Sequence, residues 1–205
     1  GSEMCIRDSA APEQRLQDLT DYRAALSACL GAPEQGPHAS RWPGVFGSLA
    51  AQIEAHHLPA GPLHDLLSAF EQDVRHTAAG HVYADSAELL AYCRLSANPV
   101  GRLLLHLYGI QDPVSLAQSD AVCSALQLIN FWQDISVDQA RGRHYLPADA
   151  LARHGLSLTD FADTRSPALQ ARGEALVADL CHRARELMLE GAPLARRIPG
   201  RLSLI

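Results

Sequence analysis

Apolar residues recur at three- and four-residue spacing along most of the chain, which predicts helix after helix. Leu16, Leu19, Tyr22, Leu26 and Leu30 mark a first helix from Pro12 to about Leu30, with Gly31 as its stop. The stretch Gly31 to Arg41 is rich in proline and glycine and reads as a loop. Pro43 opens a second helix running to His57. Pro59-Ala-Gly-Pro62 punctuates the chain before a third helix, Leu63 to His76, with Leu63, Leu66, Leu67, Phe70 and Val74 on one side. Asp85 or Ser86 caps a fourth, with Glu88 near its third position. Pro99 is expected to kink or interrupt that helix before Leu103 to Tyr108. A fifth helix spans Gln118 to about Gln139, a short segment follows at Pro147 to His154, and a sixth runs from Pro167 to about Leu189. Alternating Val/Ile/Thr runs are absent, so the predicted class is all-α.

Composition narrows the class further. The 205 residues are 47% hydrophobic and 20% charged, which suits a packed domain or a small pair and excludes a disordered chain. No run approaches the ~18–20 consecutive apolar residues of a membrane-spanning helix. A formal net charge of −6 argues against non-specific nucleic-acid binding. Cys5, Cys29, Cys93, Cys123 and Cys181 show neither CxxC pairing nor zinc spacing and read as small buried hydrophobes in a reducing cytoplasm. Residues 1–9 lack the periodicity that begins at Ala10 and read as an extraneous leader before a domain spanning 10–205. The chain stops on apolar residues after Pro199-Gly200, which reads as a fragment.

The fifth helix concentrates the candidate chemistry. At 100° per residue, Gln127, Asn130, Asp134 and Asp138 fall within about 80° of one another. The other positions, Phe131 and Trp132 among them, are mostly apolar, so the helix reads as central and buried with one polar stripe. Buried carboxylates need cations, donors or a wet cavity. The stripe offers oxygen ligands alone, which favours Mg2+, or Mn2+, over zinc. By spacing alone an ordinary solvated acidic face is the better account of Asp134 and Asp138. The apolar remainder of the helix, with no Lys or Arg between Asn130 and Asp138, brings a site that holds diphosphate through magnesium level with it.

Directly downstream lie Arg141 and Arg143 in Arg-Gly-Arg-His-Tyr145-Leu-Pro147. Two guanidiniums there suit an anionic substrate, and they also suit the negative end of a helix dipole.

The run from Gln127 to Asp138, followed by Arg143-His-Tyr145-Leu-Pro147, resembles one signature of the squalene and phytoene synthase family. Tyr92-Cys-Arg-Leu-Ser-Ala97-Asn-Pro-Val-Gly101 resembles the other, in the family's order and at a fitting separation. The wording of SANPVGRLLLHLYG and ALQLINFWQD is most like the bacterial hopanoid-pathway branch, the hydroxysqualene synthases. Gln133 stands where the condensing members of the family carry an arginine.

The resemblance implies an all-α isoprenoid synthase bundle with a central cavity, in which two aspartate-rich helices hold Mg2+ against a prenyl diphosphate. Asn130, Asp134 and Asp138 match its metal positions, and Asp134, Asp138 and Tyr92 its catalytic ones. Tyr92, Ala97, Gly101, Gln127, Arg143 and Tyr145 match positions on the substrate. The implied reaction is conversion of presqualene diphosphate to hydroxysqualene. The alternatives are squalene or phytoene synthesis by head-to-head condensation, and a non-catalytic helical protein of the same fold. The implied location is the cytoplasm, with peripheral contact to the inner membrane.

The resemblance also calls for a first aspartate-rich helix upstream of Ala10 and a last helix beyond Ile205. Neither Asp18 with Asp21 nor Asp65 with Asp73 reproduces that motif. The expectation is therefore a fragment with half its metal site missing and reduced or no activity. Three further groups read as structural. His56-His57 meets helix-end carbonyls or solvent, His76 and His81 fit a loop, and Asp73 with Arg75 forms a surface or inter-helix polar pair that the family layout would put near the mouth of the cavity.

Overall fold

The computed structural model describes residues 10–31, 41–160 and 166–198. It is helical as expected, and among these residues no strand forms beyond one isolated bridge between Val82 and His144. The helices are α1 (Pro12–Cys29), α2 (Pro43–His56), α3 (Ala60–Ala79), α4 (Ser86–Ser96), α5 (Asn98–Leu107), α6 (Pro113–Gln133), α7 (Ile135–Ala140), α8 (Ala148–Arg153) and α9 (Pro167–Gly191), then a 3-10 turn at Ala192–Arg196. Most of the expected Gly31–Arg41 loop lies outside the described residues.

Proline and side-chain caps start the helices. Pro113 sits in the first turn of α6 behind Asp112, whose carboxylate accepts from Ser115 N at 3.0 Å. Asp85 accepts from Glu88 N at 2.9 Å while Glu88 Oε2 accepts from Ala84 N at 2.6 Å, a reciprocal cap on α4. The 59–62 segment does less punctuation than expected: α3 begins at Ala60 and absorbs Pro62 into its first turn, where no amide hydrogen is missed. Pro99 likewise opens α5 after a break at Ala97.

The expected fifth helix differs more. It starts at Pro113 and is interrupted at Asp134 (φ −100°, ψ 17°), after which α7 resumes. Amide hydrogen bonds still span the break, from Asp134 to Asn130 O and from Asp138 to Asp134 O at 2.8 Å. Beyond it, Ile135 packs on a second apolar cluster around Leu146, Leu151, Leu176 and Leu180. Nor is α6 buried all round. Asn130 and Asp134 are exposed, and Leu126 is 49% exposed. The polar stripe faces outward, so hydration, not pairing, satisfies much of it.

Helices α6 and α9 share the most extensive packing, running antiparallel. Gly191 sits on Val122 at one end, while Trp132 meets the cluster of Leu176 and Leu180 at the other. At Gly191 an added Cβ would lie 2.6 Å from the Gln118 carbonyl oxygen, so only glycine permits this approach. Gly101 makes the analogous crossing of α5 over Ser119 and Cys123. A separate cluster of Ala25, Leu26, Phe46 and Leu67 joins α1, α2 and α3. Cys29, Cys93, Cys123 and Cys181 are free thiols; Cys93 is buried, but Cys181 is exposed on α9, against expectation.

Candidate functional site

Helix α6 ends in the stripe that the sequence singled out. Gln127 is half-buried, Asn130 and Asp134 are exposed, and Asp138 is half-buried on α7. Burial pushes the Asp138 carboxyl above its ordinary range; Arg143 pulls it back, neighbouring Asp134 pushes it up, and Arg141 opposes. The two carboxylates stand one turn apart across the break, with Asp138 N bonded to Asp134 O at 2.8 Å. An oxygen-only set of two crowded carboxylates and one amide fits a hard divalent cation that keeps water and phosphate in its shell. No group of three or more His, Cys, Asp and Glu with metal-binding geometry occurs among the described residues.

The segment after α7 is a strap, residues 141–147, folded back on the helix end. Arg143 N donates to Asp138 O at 2.9 Å, and Gly142 takes a left-handed φ of 72° to make the turn. The strap is anchored on the 82–84 segment: Ala148 N donates to Tyr83 O at 2.9 Å and Asp149 N to Ala84 O at 3.0 Å. The Trp132 indole donates to Tyr145 O at 3.3 Å. Beside Asp138, Arg143 and Tyr145 a crevice of about 10 Å³ remains, room for about one water.

Behind the carboxylates stands an aromatic stack. Tyr145 lies on Phe131 at 3.8 Å between centroids, Tyr92 on Phe131 at 6.0 Å, and Tyr83 on Tyr145 at 6.1 Å. All four rings are buried; Tyr92 is 4% and Tyr145 9% exposed. Burial raises all three phenols far above the usual tyrosine range, so they remain neutral donors at any physiological pH.

Of the residues the sequence nominated, Tyr92 and Tyr145 meet through Phe131, while Asn130, Asp134 and Asp138 gather at the α6–α7 junction under Arg143. Ala97 is buried at the α4–α5 junction, and Gly101 is buried against α6, where it sets the helix crossing.

The sequence reading missed Asp73. It does not pair with Arg75, whose guanidinium reaches Glu71 at 3.5 Å. Instead Asp73 Oδ1 accepts from the Tyr145 hydroxyl at 3.5 Å, and the Tyr92 hydroxyl reaches the same carboxylate. The signal was available. Asp73 is seven residues beyond Leu66 and four beyond Ala69, on the apolar stripe of α3 rather than its polar side.

Other nominated groups have structural partners. Asp18 and Asp21 bind Arg41 at 2.7 and 3.0 Å. His76 closes α3 with its ring 3.9 Å from that of His81, so it belongs to the helix and not to a loop. The His56 carbonyl meets His106 Nε2 at 3.0 Å.

Comparison with known proteins decides the family. A sequence model described as squalene/phytoene synthase matches residues 4–205. The chain belongs to that family. It is 38% identical over 136 residues to the hydroxysqualene synthase of Rhodopseudomonas palustris, covering 65% of this chain and 44% of that protein. It is 30% identical over 172 residues to the presqualene diphosphate synthase of the same organism, covering 81% of this chain and 57% of that protein. Among solved structures, the squalene synthase HpnC of Alicyclobacillus acidocaldarius superposes with a TM-score of 0.76 at 33% identity, covering 91% of this chain and 65% of that one. A dehydrosqualene synthase in complex with ligand shares the fold at a TM-score of 0.68 and 18% identity, covering 98% of this chain and 78% of that one. The chain thus has the all-α isoprenoid synthase fold and spans about half the length of its curated relatives. No described helix is long and apolar enough to cross a membrane.

Proposed function

We propose that this chain carries part of the catalytic centre of a hydroxysqualene synthase, acting on presqualene diphosphate. The observation that carries the reading is the placement of Asn130, Asp134 and Asp138 on successive turns of the α6–α7 junction, bonded Asp134 N to Asn130 O at 3.1 Å and Asp138 N to Asp134 O at 2.8 Å, with Arg143 N folded back onto Asp138 O at 2.9 Å. The similarity to hydroxysqualene synthases supports the choice of branch.

In this reading Asn130, Asp134 and Asp138 would hold Mg2+, which when bound supplies positive charge to the leaving diphosphate. Arg143 binds diphosphate oxygens, since a guanidinium offers paired donors to phosphate. The carbon–oxygen bond breaks and its electron pair leaves with the diphosphate. The buried stack of Tyr92, Tyr145 and Phe131 backs the place where that cation forms. Water then adds to that cation through oxygen and loses one proton, which gives the alcohol. Ala97, Gly101 and Gln127 belong to the substrate-facing wall in this reading. Gln133, in place of a further fixed positive charge, suits a site that handles one diphosphate substrate.

A second reading, head-to-head condensation, rests on phytoene synthases at 30–33% identity. One assay separates the two. The protein is incubated with Mg2+ and either presqualene diphosphate or two equivalents of farnesyl diphosphate, and products are resolved by mass spectrometry. Hydroxysqualene from presqualene diphosphate alone supports the first reading; condensation products support the second. No turnover, with Asp134→Asn and Asp138→Asn leaving Mg2+ and inorganic diphosphate binding unchanged, favours the non-catalytic reading. Reading the source DNA upstream of Ala10 shows whether another aspartate-rich helix belongs to the same protein.

A further inference from the structure

Asp73 is a half-buried carboxylate on the core side of α3, one turn beyond the buried Ala69. Its neighbours come from three other places in the fold. Tyr145 on the strap donates to Oδ1 at 3.5 Å, Tyr92 of α4 reaches the same group, and Arg143 and Arg15 bring positive charge. Tyr83, whose ring stacks on Tyr145, feels the same negative charge. Taking a carboxylate out of water costs free energy, and an apolar side chain would fill the same space without that cost. What a carboxylate provides here is direction. Burial raises the Asp73 carboxyl above its ordinary range, while the Tyr92 hydroxyl, Arg143 and the Tyr145 hydroxyl pull it back. Ionised, it only accepts, so each phenol that meets it must donate. The Tyr145 proton is then committed to Asp73, and its phenol oxygen keeps its lone pairs for other partners, the Tyr92 hydroxyl among them. The charge behind the rings also makes their faces more attractive to a cation.

We propose that Asp73 is a positioning residue of the site: it fixes the hydroxyls of Tyr92 and Tyr145 as donors and ties the strap bearing Arg143 to α3. This deepens the functional reading above and rests on it for its consequence in turnover, though not for the hydrogen-bond arrangement itself. Asp73 stands on α3, whereas the carboxylates of Asp134 and Asp138 belong to the α6–α7 junction. Its effect passes through the two phenols and the strap.

The test has two independent arms on the full chain. The first is Raman spectroscopy of the tyrosine doublet, which reports whether a phenol donates, on wild type, Asp73→Asn, Tyr145→Phe and the double variant. Asn has the shape of Asp but can donate, so the signature of a donating phenol should fall in Asp73→Asn. Tyr145→Phe should remove part of the same signal, and the double variant should lose less than the sum of the two. Additive changes, or no change in Asp73→Asn, overturn the proposal whatever the activity. If Asp73→Asn does not fold, Tyr145→Phe and Tyr92→Phe decide: losing no donating signal in either overturns it.

The second arm is steady-state turnover of presqualene diphosphate with Mg2+. Asp73→Asn should lower kcat by about 10–100-fold, the range seen when an outer partner of a site residue is removed, with KM changed little. Asp73→Glu should recover part of the loss. A kcat equal to that of active wild type overturns the proposal. If wild type turns over no prenyl diphosphate, the functional reading fails, and the Raman arm alone decides the role of Asp73.

Discussion

The ring of Tyr145 lies flat on that of Phe131, 3.8 Å between centroids and 9° between planes. Phe131 belongs to α6 and Tyr145 to the strap that returns over the α6–α7 junction, so this single stack fastens the strap to the helix that bears Asn130 and Asp134. Phe131→Ala should destabilise the chain by about 3–5 kcal/mol, as expected for deleting a buried aromatic ring. Tyr145→Phe keeps the stack and loses only a long hydrogen bond, and should cost within about 1 kcal/mol. Urea unfolding of the two variants measures both, and equal losses would show that the hydroxyl, not the ring, holds the strap.

Asp138 makes stability depend on pH in a defined direction. Its carboxyl is raised in the folded chain, chiefly by burial, with Asp134 adding to the shift against Arg143 and Arg141. Above the folded value both folded and unfolded chains are ionised, and the fold carries the penalty of the desolvated charge. As pH falls through the folded value the penalty disappears, and it is gone below the ordinary value of 3.8. Asp138→Asn should therefore be slightly more stable than wild type at pH 7, by less than about 1 kcal/mol after solvent screening. That advantage should vanish below about pH 4. Urea midpoints at the two pH values check it; a variant less stable at pH 7 would mean that Asp138 is held by a net favourable pair.

The helix crossings predict unequal costs for two glycine substitutions. At Gly191 an added Cβ meets backbone, Gln118 O at 2.6 Å and Val122 N at 3.1 Å, and α6 must shift away from α9. At Gly101 it meets the side-chain ends of Ser119 and Cys123, which can rotate in part. Gly191→Ala should lose about 3 kcal/mol or more and Gly101→Ala about 1–3 kcal/mol. Thermal melts of the two variants give the order.

The α4 cap is a local test of the same kind. Asp85→Ala leaves Glu88 N without its side-chain acceptor and should cost about 1 kcal/mol, while Asp85→Ser should cost less, since serine also caps well. A null effect in urea unfolding would place the start of α4 outside the cooperative unit.

Much of the fold was legible because its determinants are local. Helix starts at Pro12, Pro43, Asp85 and Pro167 depend on residues within one turn, and the structure has them there. The stripe of Gln127, Asn130, Asp134 and Asp138 was legible for the same reason: four residues on one helix share a face by periodicity alone. The break at Asp134 was not. No proline or glycine marks it, and the residue that follows, Ile135, packs on a cluster built from the strap, α8 and α9, more than ten residues away in sequence. The outward aspect of Asn130 and Asp134 was hidden too, since apolar residues on the flanks of α6 say that something covers them but not how far round.

The sequence by itself determined the helical class and most helix starts, because spacing and residue type settle these within a few turns. Tertiary structure alone decided that Asp73, Tyr92, Phe131 and Tyr145 form one group. Those residues lie on α3, α4, α6 and the strap, up to 72 positions apart. Only the packing of those elements against one another puts a carboxylate behind two phenols, and no periodicity along the chain encodes a contact between different helices.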